Sequence, residues 1–407
     1  MLAGLLLVLG FVQPTRAADW PWFLGPTHDG VSTETGLRDD WPEGGPPKLW
    51  ERKTGETYAA PSVAGGKLIL FHRLEDAEVV ECLDAADGKP IWRFDYPTAY
   101  VDRYGYNGGP RAAPTIFDGR TYTYGAEGKL HCLDFATGKP LWRHDVKQAF
   151  GVPDNFFGVG SAPVIEGKLL IIAAGGADDA GLVAYDRVTG KVVWKASDQG
   201  ASYATPYCAT ILGKRRVLHF GREGLVCVDA DDGKVNWSYP FRSRVYESVN
   251  AAGPVVDGDR IFVSASYRTG AVLLRHTDDG HREIWKSRVM GNHWATSILE
   301  DGHLYGFDGR HENETTLKCI ELATGEQKWA TRPGALGRGS MIRADGKYIL
   351  LTERGILTLA RLSPAGPESL AQQPYLKYPC WIAPVLADGR LYIRNDRRLI
   401  CLDLRNK

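Results

Sequence analysis

Asp84–Trp92 reads DAADGKPIW and Asp134–Trp142 reads DFATGKPLW, and this pattern decides the fold. It returns as DRVTGKVVW at Asp186–Trp194, DADDGKVNW at Asp229–Trp237 and ELATGEQKW at Glu321–Trp329, and with one extra residue as HTDDGHREIW at His276–Trp285. Upstream of the copies lies a second marker, a proline behind a small residue: Ala60-Pro61, Ala113-Pro114, Ala162-Pro163, Thr205-Pro206 and Gly253-Pro254. The marker weakens to Thr296-Ser297 and Ser340-Met341, then returns as Ala383-Pro384. From Pro61 to Pro254 the prolines are 43 to 53 residues apart, which is the length of one four-stranded propeller blade.

Working outward through the second unit, APTIF reads as an inner strand that ends at an Asp118-Gly119 hairpin turn. RTYTYGA then runs to a turn at Glu127-Gly128, and KLHCLD runs to a turn at Ala136-Thr137-Gly138 before KPLW. Asp-Gly between apolar runs suits a tight hairpin, because its central residues need positive φ. A tryptophan at a fixed offset in each outer strand can dock on the neighbouring blade, burying its ring while its N–H finds a backbone acceptor.

Counting markers predicts an all-β fold, an eight-bladed β-propeller of four-stranded antiparallel blades. The last unit runs out of chain at LICLDL after three strands, while Lys48-Leu49-Trp50-Glu51 carries a docking tryptophan with no inner strand before it. Pairing the two completes the last blade with the N-terminal strand, closes the ring and removes two sheet edges. Blade seven is irregular: Arg361–Leu370 (RLSPAGPESL) has neither the Thr-Gly turn nor a tryptophan, which leaves seven blades as the alternative.

The propeller is assigned to residues 48–407, preceded by an extension over 18–47. The apolar run Leu2–Val12 is too short to span a bilayer. Together with Ala17 after Thr15-Arg16 it predicts a signal peptide over residues 1–17, hence a periplasmic or secreted protein with no membrane span. Basic and acidic residues balance at 49 each, without long like-charge runs, so no field is available to gather nucleic acid. Cys82, Cys132, Cys227, Cys319 and Cys401 all fall near one repeat position, and equivalent positions in different blades are too distant to bridge. They read as small buried hydrophobes. No P-loop, HExxH, GxSxG or dinucleotide fingerprint occurs in a usable context.

The repeat CLDxxTGKxxW, carried by six copies within residues 48–404, resembles the tryptophan-docking motif of the pyrroloquinoline-quinone-like (quinoprotein) propeller family. That family includes quinone-dependent alcohol dehydrogenases and the propeller subunit of the outer-membrane β-barrel assembly machinery. The leading segment Asp19–Pro26 (DWPWFLGP) with His28–Ser32 (HDGVS) is similar to that of a bacterial subgroup of exported propellers. The resemblance to the dehydrogenases implies pyrroloquinoline quinone (PQQ) stacked in the central channel beside Ca²⁺, an aspartate base and a disulfide between adjacent cysteines. This chain has no adjacent cysteines and no CxxCH haem motif, and it is shorter than the larger enzymes.

Residues just before each inner strand surround the channel mouth, where a rigid scaffold presents loops. Blade by blade they are Tyr58, Arg111, Ser161, Tyr203, Glu247 with Asn250, His293 with Trp294, Arg338 and Trp381. Trp294 and Trp381 are not docking tryptophans by position; they stack a planar ligand or fill the channel wall. Arg111 and Arg338 suit bidentate carboxylate binding, or else pair with Glu247. Glu247 and Asn250 are oxygen ligands of the kind Ca²⁺ takes. His293 reads as a channel hydrogen-bonding residue in preference to a general base. The long connections Phe94–Gly109 and Val146–Gly160, rich in Tyr, Phe, Asn and Gly, are placed on the same face, as an interface or as lids packed on one another. Two functions follow: a non-catalytic envelope propeller that binds a protein partner or small ligand at its channel face, or a PQQ- and Ca²⁺-dependent dehydrogenase of an alcohol or sugar.

Overall fold

In the computed structural model, residues 18–154 and 156–406 are described, so the expected signal peptide (residues 1–17) lies outside them. Thirty-two strands form eight four-stranded antiparallel sheets. Seven follow chain order; the eighth takes Lys48–Lys53 as its outer strand, paired antiparallel with Arg398–Asp403. The ring is therefore closed by the two ends of the chain. Blade seven is complete, with strands Gly339–Ala344, Lys347–Thr352, Ile356–Ser363 and Gly366–Pro374. Its last hairpin turns at Pro364-Ala365 in place of Thr-Gly.

The repeat motif is explained by what it touches in the next blade. Trp50, Trp92, Trp142, Trp194, Trp285 and Trp329 each donate their indole N–H to a backbone carbonyl of the following blade, at 2.7 to 3.3 Å. Trp237 instead donates to His276 Nδ1 at 2.8 Å, in the blade whose outer hairpin carries the extra residue. The rings of Trp50, Trp92, Trp142, Trp194 and Trp285 lie on the turn glycine of the next blade. A Cβ on Gly138, at φ +73°, would stand 2.5 Å from the Trp92 ring, and Gly88, Gly190, Gly233 and Gly325 meet the preceding tryptophan in the same way. Glycine is thus needed there both for its backbone region and for the ring it carries. In the second blade the turn is closed by Asp134, whose carboxylate accepts from the Thr137 N–H and hydroxyl.

The cysteines at the repeat position face these tryptophans across the sheet, as Cys82 faces Trp92 and Cys401 faces Trp50. They are buried and unbridged. Burial pushes the Cys132 and Cys227 thiols up to about 12, which keeps them protonated and inert.

The second marker works nearer the axis. Ser62 and Thr115, which directly follow the marker prolines, donate their hydroxyls to the carbonyls of Pro114 and Pro163 in the next blade, each at 2.6 Å. One set of hydrogen bonds therefore links inner strands around the channel, and the tryptophans link outer strands around the rim.

Residues 18–47 form a strap across the face away from the mouth. Trp20 exchanges both backbone hydrogen bonds with Val63 at 2.8 Å, and Ile116 N–H donates to the Pro21 carbonyl. Farther along, Ser32 and Gly30 bond Arg343 of blade seven, and Arg38 N–H donates to Leu404 of blade eight. Val63, Ile116 and Arg343 sit toward the first hairpin of their blades, so the strap runs under the channel. Trp20 is 2% exposed, and the strap turns tightly round it at Gly25 (φ +79°), where a Cβ would lie 2.8 Å from the indole. Leu24 and His28 reach Thr205–Tyr207, Gly253-Pro254 and Thr296 on the far side.

Candidate functional site

With its floor closed by the strap, the channel becomes a well open on the mouth face, with a volume of about 530 Å³. Phe23 projects from the strap into its base. Tyr58, Arg111 and Tyr203, from blades one, two and four, stand on one side of the wall. His293, Trp294, Arg338 and Trp381, from blades six to eight, stand on the other. These predicted residues converge because each sits in the loop that enters an inner strand.

The two tryptophans form an aromatic wall. Their ring centroids are 6.1 Å apart, and the Arg338 guanidinium lies 5.1 Å from Trp294 and 4.9 Å from Trp381. Tyr58 packs 5.3 Å from Trp381, and burial pushes its hydroxyl up to about 12. Such cation–π and tilted-ring contacts each contribute roughly 0.5–1.5 kcal/mol and fix ring orientation.

Both predicted arginines are engaged by buried acids other than Glu247. Arg111 bonds Asp102 at 2.7 Å and also donates to the Gly109 and Asn107 carbonyls. Arg338 bonds Glu353, whose carboxylate also accepts from the Arg338 N–H and from Trp381 Nε1 at 3.2 Å. Burial alone would raise the Glu353 carboxyl, but its hydrogen bonds and the Arg338 charge hold it below the ordinary range. His293 lies 3.3 Å from the Tyr267 hydroxyl, and burial together with Arg338 and Arg310 lowers its pKa to about 3, so the ring is neutral.

Three predicted residues stand outside the well. Ser161 is buried behind the wall. Asn250 is also buried, its amide donating to the Gly221 carbonyl at 2.8 Å and its backbone carbonyl accepting from Ser202, Tyr203 and Ala204. Glu247 is exposed on the outer part of its loop. Asn250 and Glu247 therefore do not form the shared oxygen site that Ca²⁺ requires, because the loop turns one side chain into backbone bonding and the other into solvent.

The well also uses residues that the strand-start rule passes over. Tyr267 and Arg310 come from connections between second and third strands, which share the mouth face. Their signal was available in alternating connectivity: every other loop of a blade lies on the same side. Tyr106 and Phe157 come from the long connections predicted to share this face. Tyr106 is 5.4 Å from Trp381, and Phe157 is 5.8 Å from Tyr106 and 5.7 Å from Tyr203. The two loops pack on one another and over one side of the mouth, yet Tyr104 and Tyr106 keep nearly half their surface exposed.

The fit of a quinone with calcium can be judged from this donor set. The aromatic wall suits a planar ring. Asp102 and Glu353 are occupied by arginine, and among the described residues no group of three His, Cys, Asp or Glu is placed to hold a metal ion. The side chains present do not fit the metal half of that pair.

No helix among the described residues is long and apolar enough to cross a membrane. No curated protein matches the chain. Among solved structures, BamB from Moraxella catarrhalis is 16% identical, with a TM-score of 0.63 over 89% of this chain and 98% of that one. Quinohemoprotein alcohol dehydrogenase from Comamonas testosteroni is 14% identical, with a TM-score of 0.68 over 96% and 81%. Quinohemoprotein alcohol dehydrogenase ADHIIG from Pseudomonas putida is also 14% identical, at 0.65 over 96% and 81%. At such identities the likeness is one of fold, and that fold is shared by assembly factors and enzymes alike. The family described as outer membrane protein assembly factor BamB matches residues 75–331, well over half the sequence, and the chain belongs to that family.

Proposed function

We propose that this chain is a non-catalytic binding propeller of the cell envelope that holds its ligand in the mouth well. The observation that carries this reading is a channel closed below by the chain's own strap and open above, walled by Trp294, Trp381 and tyrosines. A volume near 530 Å³ is the size of ordinary small-ligand sites. The envelope assignment draws on the apolar Leu2–Val12 run and on the outer-membrane description of the family. The dehydrogenase alternative is favoured by the two tryptophans that would face a planar quinone and opposed by the finding that, among the described residues, no three of His, Cys, Asp or Glu are placed to hold a metal ion.

Titration with a panel of neutral sugars, amines, aromatic alcohols and carboxylates, followed by calorimetry, tests the reading. Saturable heat from one class, lost in Trp381→Ala, is the expected result. Substrate-dependent reduction of an artificial electron acceptor by protein loaded with PQQ and Ca²⁺, lost in the same variant, would overturn it in favour of the enzyme.

A further inference from the structure

Among the described residues the arginines and the glutamate around the well cancel in pairs, with one exception, and His311 lines the well beside that exception. Arg111 is matched by Asp102, Arg338 by Glu353, and Glu312 by Arg354. Arg310 lines the well with its guanidinium 4.5 Å from the Tyr267 ring, and no carboxylate lies within 4 Å of it among the described residues. His293 adds no charge, since its ring is neutral at physiological pH. The same stretch of wall holds two buried polar atoms without a partner, Trp294 Nε1, which can only donate, and His293 Nδ1. Trp381 continues the ring surface beside Trp294, and Tyr106 and Phe157 add ring surface to the same well.

We infer that the well selects a ligand with a single carboxylate on an aromatic body, the carboxylate meeting Arg310 and the ring lying against Trp294 and Trp381. The inference rests on the binding reading above and narrows it to one chemical class. One uncompensated guanidinium in a half-enclosed site satisfies one anionic group, and its planar fork matches a carboxylate. A second or third carboxylate would meet arginines already saturated by Asp102 and Glu353, and would enter the well without a counter-charge. A tricarboxylic quinone is therefore a poorer fit here than a monocarboxylate. A neutral ligand of the same shape would keep the ring contacts and forgo the charge-assisted bond, a loss of roughly 10- to 100-fold in affinity.

The test compares 2-naphthoate with its neutral isostere 2-naphthamide by titration calorimetry, on wild-type protein and on Arg310→Gln. Arg310 is only half-buried and has no ion pair to break, so the variant should keep the wild-type thermal midpoint, which is measured alongside. The expected result is saturable 2-naphthoate binding, weakened by added salt, with 2-naphthamide about 10- to 100-fold weaker. In Arg310→Gln the two ligands become equal, at the wild-type 2-naphthamide affinity. Equal affinities in the wild type, a preference that survives Arg310→Gln, or tighter binding of PQQ than of 2-naphthoate would each overturn the inference. If neither naphthalene binds while another panel class does, the carboxylate class is wrong and the well stands. If no class binds, both fall together.

Discussion

The docking seams and the channel mouth are built from the same repeats by opposite rules. At the seams six blades present the same tryptophan to the next blade's turn, and Trp50, in the N-terminal strand, does so for blade eight. At the mouth the equivalent position holds Tyr58, Arg111, Ser161, Tyr203, Glu247 with Asn250, His293-Trp294, Arg338 and Trp381, with no residue type occurring more than twice. Repetition carries the scaffold, and departure from repetition carries the site. The seam between blades seven and eight teaches the same lesson from the other side. Ala371 stands where a docking tryptophan would be, facing Leu359. Blade eight has no outer hairpin to receive a ring, because its fourth strand arrives from the N-terminus. The strap packs Leu37 and Trp41 against this part of the core instead.

Acid should weaken the scaffold most. His28, His131 and His219 are neutral and enclosed in the scaffold, and burial lowers each pKa to about 4. Their unfolded values lie near 6.5, so the unfolded chain binds more protons as pH falls. The stability they permit is complete above pH 6.5 and is lost progressively down to about pH 4. At pH 5 each removes about 2 kcal/mol, and urea midpoints measured from pH 7 to 5 should fall accordingly. Next comes Trp194→Ala, which deletes a ring 7% exposed and should lower unfolding free energy by about 3–5 kcal/mol. Gly138→Ala forces a side chain into the left-handed region against the Trp92 ring and should cost roughly 2 kcal/mol. The smallest effect sharpens the contrast: Ala371→Trp, restoring the motif at the one seam without a receiving turn, should stabilise by less than about 0.5 kcal/mol. A gain as large as the Trp194→Ala loss would show that the missing hairpin is not the reason for the missing tryptophan.

The scaffold was legible because its signals are local and periodic. DFATGKPLW states a turn, an αL glycine and a docking ring within nine residues, and LICLDL with KLWE states the closure. The strap was not legible as a floor: Trp20 meets Val63 and Gly30 meets Arg343 only through long-range pairing, which leaves no period in residues 18–47. The mouth was half legible. Strand-start positions brought Tyr58, Arg111, Trp294 and Trp381 to one well, while Asn250 and Glu247 were lost to the local course of their loop. Arg310, the cation without a counter-charge, lies in a connection that a strand-start reading does not visit.

The most direct test of the division between seam and mouth is denaturant unfolding of Trp381→Ala beside Trp194→Ala, with ligand binding measured on both. Trp381 rests on Tyr58, Tyr106 and Trp294 at the rim of an open well, so its loss should cost roughly 2 kcal/mol of stability and abolish binding. Trp194→Ala should lose more stability, about 3–5 kcal/mol, and bind normally while folded. Equal destabilisation by the two substitutions, with binding intact in Trp381→Ala, would contradict the account.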